Sequence, residues 1–86
     1  MADSQGYEPV LSARVTTFLL RLPKTRQRRL VDLLFRLSSN PTQTGDYSVT
    51  DDLGREIQFI LVGDLLIGFW PDHAVEELRI VEIEEV

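Results

Sequence analysis

The sequence predicts an α+β domain: an N-terminal helical hairpin packed on a four-stranded antiparallel sheet. Three observations carry that prediction. Two apolar stripes at helical spacing lie before residue 40, and Pro23 separates them. Residues 45–86 are short apolar runs divided by three turn signals. The connections are too short for crossover helices, so consecutive hairpins, an antiparallel meander, are the natural solution.

The first element is small. Tyr7-Glu8-Pro9-Val10-Leu11 can form a short edge strand, since Pro lacks the donor that a central ladder needs. Residues 1–6 are small and polar and are expected to be disordered. Ser12 is placed to cap a helix. Val15, Phe18, Leu19 and Leu22 then fall at i, i+3, i+4 and i+7, one face of a helix that Pro23 ends. The second helix is expected from Lys24 or Thr25 to about Ser38. Leu30, Leu33, Leu34 and Leu37 repeat the stripe, Val31 and Phe35 widen it, and Asn40-Pro41 stops it. Its polar side carries Lys24, Arg28, Arg29, Asp32 and Arg36, at spacings that permit a lattice of surface ion pairs around Asp32.

The meander reads as strands at 46–51, 55–62, 65–70 and 76–84. Gly63-Asp64 makes a two-residue hairpin, because Gly takes positive φ without steric cost. Asp51-Asp52-Leu53-Gly54 makes a longer turn. Pro71-Asp72-His73-Ala74 is expected to break the third strand after Trp70. The run Leu65-Leu66-Ile67-Gly68-Phe69-Trp70 has no polar face, which predicts a central strand covered on both sides. Leu78 and Ile80 are out of phase with Val81 and Ile83, so the last strand is either covered on both faces or bulged near Ile80.

Composition bounds the rest. Eighty-six residues suffice for a single domain with one modest core. There is no cysteine, hence neither a disulfide framework nor a thiolate metal site, and a single histidine leaves little for zinc. Asp51, Asp52 and Asp72 supply too few converging oxygens for a metal. Neither metal nor other cofactor is expected. No apolar run reaches the length of a membrane span, and MADSQGYEP lacks the pattern of a secretory signal, so the cytoplasm is the expected compartment and no membrane partner is expected. The net charge of −5 argues against broad nucleic-acid binding. That charge is uneven: six of the nine basic residues lie between Arg21 and Arg36, and six acids lie between Asp72 and Glu85, against Arg79 alone.

The order of elements, together with LPKTRQRRLVDLLFRLSSNP, the Asp51-Asp52-Leu53-Gly54-Arg55 turn and the Trp70-Pro71-Asp72-His73 corner, resembles the RelE/ParE superfamily of toxins from bacterial type II toxin–antitoxin modules. The resemblance spans Tyr7 to Glu84. It implies a toxin whose partner is a cognate antitoxin, in a module of the plasmid-stabilisation kind. RelE-type members are ribosome-dependent mRNA endonucleases, which would bring ribosome and mRNA in as partners. ParE-type members inhibit DNA gyrase. A third reading is a degenerate toxin that only binds its antitoxin. Active RelE-like members usually carry several basic residues on the sheet and often a tyrosine near the C-terminus, whereas this chain ends VEIEEV.

Cleavage of RNA by its own 2′-hydroxyl needs a base, an acid and a cation on the phosphate. His73 is the only side chain that titrates unperturbed near neutral pH. Arg55 suits the phosphate, Lys24, Arg28 and Arg29 add charge, and Tyr47 can stack on a base. Counting outward from Gly63-Asp64 sets Arg55 opposite Asp72 and within about two residue steps, roughly 7 Å, of His73. Asp51, Asp52 and Asp72 are the supporting carboxylates. The structural alternatives are an Arg55 ion pair with Asp51, Asp52 or Asp72, and a His73 bonded within its corner.

Overall fold

A computed structural model describes residues 6–86. The expectation of disorder at residues 1–5 lies outside them; Gly6 forms a bend beside Ser39. The elements run β1 (Glu8–Leu11), α1 (Ala13–Leu20), α2 (Lys24–Ser38), β2 (Tyr47–Thr50), β3 (Glu56–Val62), β4 (Leu65–Asp72) and β5 (Glu77–Glu85). They form two helices on one face of a five-stranded sheet of order β1-β5-β4-β3-β2. The four-stranded antiparallel meander is as expected, and the short N-terminal segment joins it as a fifth strand, parallel to β5.

Local chemistry explains the elements. The Ser12 side chain accepts from the Val15 N–H at 3.2 Å and caps α1. The hairpin link is tied by Gln27, whose Nε2 donates to the Leu22 carbonyl at 2.9 Å. At the far end of α2 the fully buried Ser38 hydroxyl donates to the Leu34 carbonyl at 2.8 Å, so its burial leaves no polar group unpaired. The turns at Gly54 and Gly63 do use positive φ, 81° and 63°. The two-residue turn fixes Val62 against Leu65, and the predicted β3–β4 register follows.

The helices bury Val15, Leu30, Leu34 and Leu37 against Leu65, Ile67 and Phe69 of β4 and Leu78, Ile80 and Ile83 of β5. That β5 set is possible only because the strand is bulged. Gly68 faces Glu82 but Phe69 faces Ile80, which leaves Val81 as the extra residue. The bulge resets the alternation, so Ile83 joins the face of Leu78 and Ile80 instead of opposing it.

Four expectations are corrected. β4 does not stop at Trp70; it continues through Pro71 and Asp72, paired with Leu78 and Glu77. Pro71 is tolerated because the β3 ladder has already ended at Gln58–Phe69, which makes β4 a local edge there. β4 is central but helices cover only one of its faces; on the other, the Phe59 ring lies over Gly68. Phe35 does not widen the buried stripe and is 57% exposed. The ion-pair lattice around Asp32 is absent: among the described residues the pairs are Arg26–Glu85, Arg55–Asp51, Arg79–Asp72 and Arg79–Glu77.

Candidate functional site

The face of the sheet away from the helices is the candidate site. Cross-strand partners share a face, so Tyr47 and Val49 of β2 join Phe59 and Ile57 of β3, and Leu61 joins Leu66 of β4. Tyr47 stacks on Phe59 with centroids 5.2 Å apart and planes 10° apart. No helix covers these side chains. Tyr47, Val49 and Leu61 are each about half exposed (50%, 50% and 51%), whereas the helix-facing side of β4 and β5 is buried.

On the central strand of this face, β4, stands Trp70, between two guanidinium groups. Arg55 lies over its ring at 4.8 Å and Arg79 at 6.0 Å. Arg55 is fixed from the turn: its Nε donates to Asp51 at 2.9 Å, and its backbone N–H donates to the same side chain at 2.9 Å. Those bonds, the backbone one first, outweigh desolvation and hold the Asp51 carboxyl below its ordinary range. Arg79 bonds Glu77 at 2.9 Å and approaches Asp72 at 3.6 Å. Its Nε is buried and has no partner. Val10, Arg55, Trp70, Asp72, Arg79 and Val81 border a cleft of about 440 Å³ here.

The sequence-predicted residues are therefore divided. Arg55, Asp51 and Asp72 come together with Trp70, and Tyr47 lies on the same face at the β2 end. Arg55 does not pair with Asp72, which is held by Arg79. Asp52 is exposed in its turn and joins none of the ion pairs seen among the described residues. His73 is not brought to Arg55. It lies in the turn that follows β4, where its Nδ1 is 2.8 Å from the Tyr7 hydroxyl and its ring meets Tyr7 edge-on. Tyr7 in turn packs against the core and donates its backbone N–H to Ser38. Lys24, Arg28 and Arg29 are exposed on α2, in the helical layer and away from the open face.

Arg79 and Tyr7 were not singled out from sequence. The signal for Arg79 was its place opposite Trp70, which requires the position of the β5 bulge. Tyr7 required the parallel β1–β5 pairing, which no local pattern announces. Among the described residues no cluster of His, Asp and Glu is placed to hold a metal ion, and no helix is long and apolar enough to cross a membrane.

No protein-family model matches this chain, and no curated protein matches it in sequence. Solved structures do match in shape. A chain of the toxin–antitoxin complex RelBE2 from Mycobacterium tuberculosis superposes with a TM-score of 0.77 at 16% identity, over 98% of this chain and 95% of that one. A chain of the archaeal RelE–RelB complex from Pyrococcus horikoshii gives 0.69 at 16% identity, over 93% and 94%. The expected architecture is thereby shown over nearly the whole length of both molecules: this chain has the fold of the RelE toxins.

Proposed function

We propose that this protein is the toxin-type member of a type II toxin–antitoxin pair in the bacterial cytoplasm, and that it acts by binding a protein partner on the open sheet face. One observation carries this reading: an apolar, aromatic sheet face of Tyr47, Val49, Leu61 and Phe59 is left uncovered in a fold shared with chains of two toxin–antitoxin complexes. A patch of that kind on a small domain marks a docking surface. Co-expression with the adjacent short open reading frame tests it. The expected result is a co-purified complex whose melting temperature rises with partner concentration. A chain that purifies alone and melts unchanged overturns it.

Ribosome-dependent mRNA cleavage is the second reading, favoured by the Arg55–Trp70 stack, which offers a cation and an aromatic surface side by side. In it Arg55 meets the phosphate, Tyr47 or Trp70 stacks on a base, and His73 moves the proton. The bond of His73 to the Tyr7 hydroxyl weighs against it, as does the pairing of both sheet arginines with carboxylates. Growth arrest with transcript cleavage, abolished by Arg55→Ala with His73→Ala at an unchanged melting temperature, supports this reading. Growth arrest without cleavage returns the case to binding, on gyrase or another target.

A further inference from the structure

The charges of this chain are sorted by layer. Seven of the nine Lys and Arg residues fall within residues 13–38, beside one acid, Asp32. Residues 39–86 carry eleven Asp and Glu against Arg55 and Arg79 alone. The open face belongs to the acidic layer. The cleft beside Trp70 and a second one, of about 290 Å³ between Val49, Ile57, Phe59 and Glu82, share Arg55 and Val81. They form one groove across the sheet.

The charges inside that groove are unequal. Arg55 is already neutralised by Asp51, and Arg79 by Glu77 and Asp72. Glu82 lines the groove and makes no ion pair among the described residues; Glu84, opposite Leu66, continues the same face. Arg14 of α1 and Arg21, which caps that helix, border these glutamates in a neighbouring cleft of about 380 Å³, yet neither is within ion-pair distance. A polyanion entering the groove meets compensated guanidiniums and uncompensated carboxylates, whereas a cationic segment meets the reverse.

We infer that the groove takes a protein segment in which basic and apolar side chains are mixed, its Lys or Arg on Glu82 and Glu84 and its apolar residues on Val49, Phe59 and Val81. The inference rests on the reading of this face as a protein-docking surface, and it deepens that reading by fixing the sign of the partner. Nucleic acid is the disfavoured occupant of the sheet face on this inference; most of the chain's cations are on the helical segment.

Trp70 is the chain's only tryptophan and lines the groove, so its emission reports on occupancy. The full chain is titrated with three probes of equal length: an alternating Lys–Val peptide, an alternating Glu–Val peptide and a single-stranded RNA. The Lys–Val peptide should shift Trp70 emission saturably, at least about ten-fold more tightly than either other probe, and should weaken as salt is raised. Glu82→Gln with Glu84→Gln should weaken that binding, and Glu82→Lys with Glu84→Lys should abolish it. Arg28→Glu with Arg29→Glu, on α2, should leave it unchanged. Thermal melts confirm that each variant is folded. A shift produced by the RNA or the Glu–Val peptide instead, or by no probe, overturns the inference. If a co-expressed partner shifts Trp70 in that case, the docking reading survives and only the sign is wrong. If no partner shifts it, the docking reading fails with it.

Discussion

The two faces of this sheet are built from the same strands, residue by residue in alternation, yet one is a closed core and the other an open surface. Ile67 and Phe69 are 0% exposed beneath the helices. Their neighbours Leu66, Gly68 and Trp70 look out from the far side, where the Phe59 ring shelters Gly68 and two arginines flank Trp70. The difference is one of supply: a chain of this length has two helices, enough to cover one face. The face that remains is apolar at Val49, Phe59 and Leu61 and charged at Arg55, Arg79 and Glu82, with no second layer over it.

The comparison breaks most visibly at Leu34. That residue is 2% exposed on the helix face. Leu34→Asp buries a carboxylate with no partner and should cost about 3–5 kcal/mol, enough to unfold much of the population at room temperature. Val49→Asp, at a half-exposed position on the open face, should change stability by about 0.5 kcal/mol or less. Urea unfolding of the two variants measures the contrast; equal losses would mean that both faces are load-carrying core.

A smaller effect is expected at Gly45, which leads into β2, the strand that carries Tyr47 and Val49. A Cβ there would land on the Phe59 backbone carbonyl, with no flexible side chain to give way. Gly45→Ala should cost about 1–3 kcal/mol by forcing β2 away from β3. It should also raise the exposure of the Tyr47–Phe59 stack, read by tyrosine fluorescence. If the variant melts like the parent, the edge strand contributes little to the open face.

Much of this architecture was legible in the sequence because its signals are local. The Gly63-Asp64 turn set a register that the structure keeps from Val62–Leu65 to Gln58–Phe69, short of the expected Ile57–Trp70 and Arg55–Asp72 pairs. The leucine stripes gave both helices, and the clash of phase between Ile80 and Val81 left two options, a doubly covered strand or a bulge, of which the structure has the bulge. Non-local facts were less accessible. The parallel pairing of β1 with β5 joins residues at opposite ends of the chain, and it alone brings Tyr7 to His73. The count along the sheet that set His73 beside Arg55 took no account of Tyr7, whose hydroxyl engages the His73 Nδ1 from the turn after β4. The lattice around Asp32 failed because spacing permits exposed ion pairs without making them worth their entropy.

At the corner where the two faces meet, Tyr7→Phe deletes the hydroxyl that bonds His73. The pair is exposed, so the loss should be about 0.5–1 kcal/mol. In ring NMR spectra the His73 Nδ1 resonance should move while Arg55 signals stay put. Coupled movement of both would show that the corner links the faces after all.

The smallest effect is one of pH and belongs wholly to the open face. Asp51 accepts from the backbone N–H groups of Leu53 and Arg55 and from the Arg55 guanidinium. These bonds, led by that from the Arg55 N–H, lower its pKa in the folded chain below the ordinary 3.8. A carboxyl depressed on folding adds stability that is fully present above the unfolded value and is lost as pH falls through the folded one. Asp51→Asn keeps a side-chain oxygen for the turn but cannot titrate. The parent should therefore exceed the variant in urea midpoint near neutral pH, and the gap should close on acidification below about pH 4. Raised salt should narrow the gap as well, because the Arg55 part of it is screened at an exposed site. A gap that stays constant across the acid range would show that Asp51 holds Arg55 over Trp70 through turn geometry alone, without help from its charge.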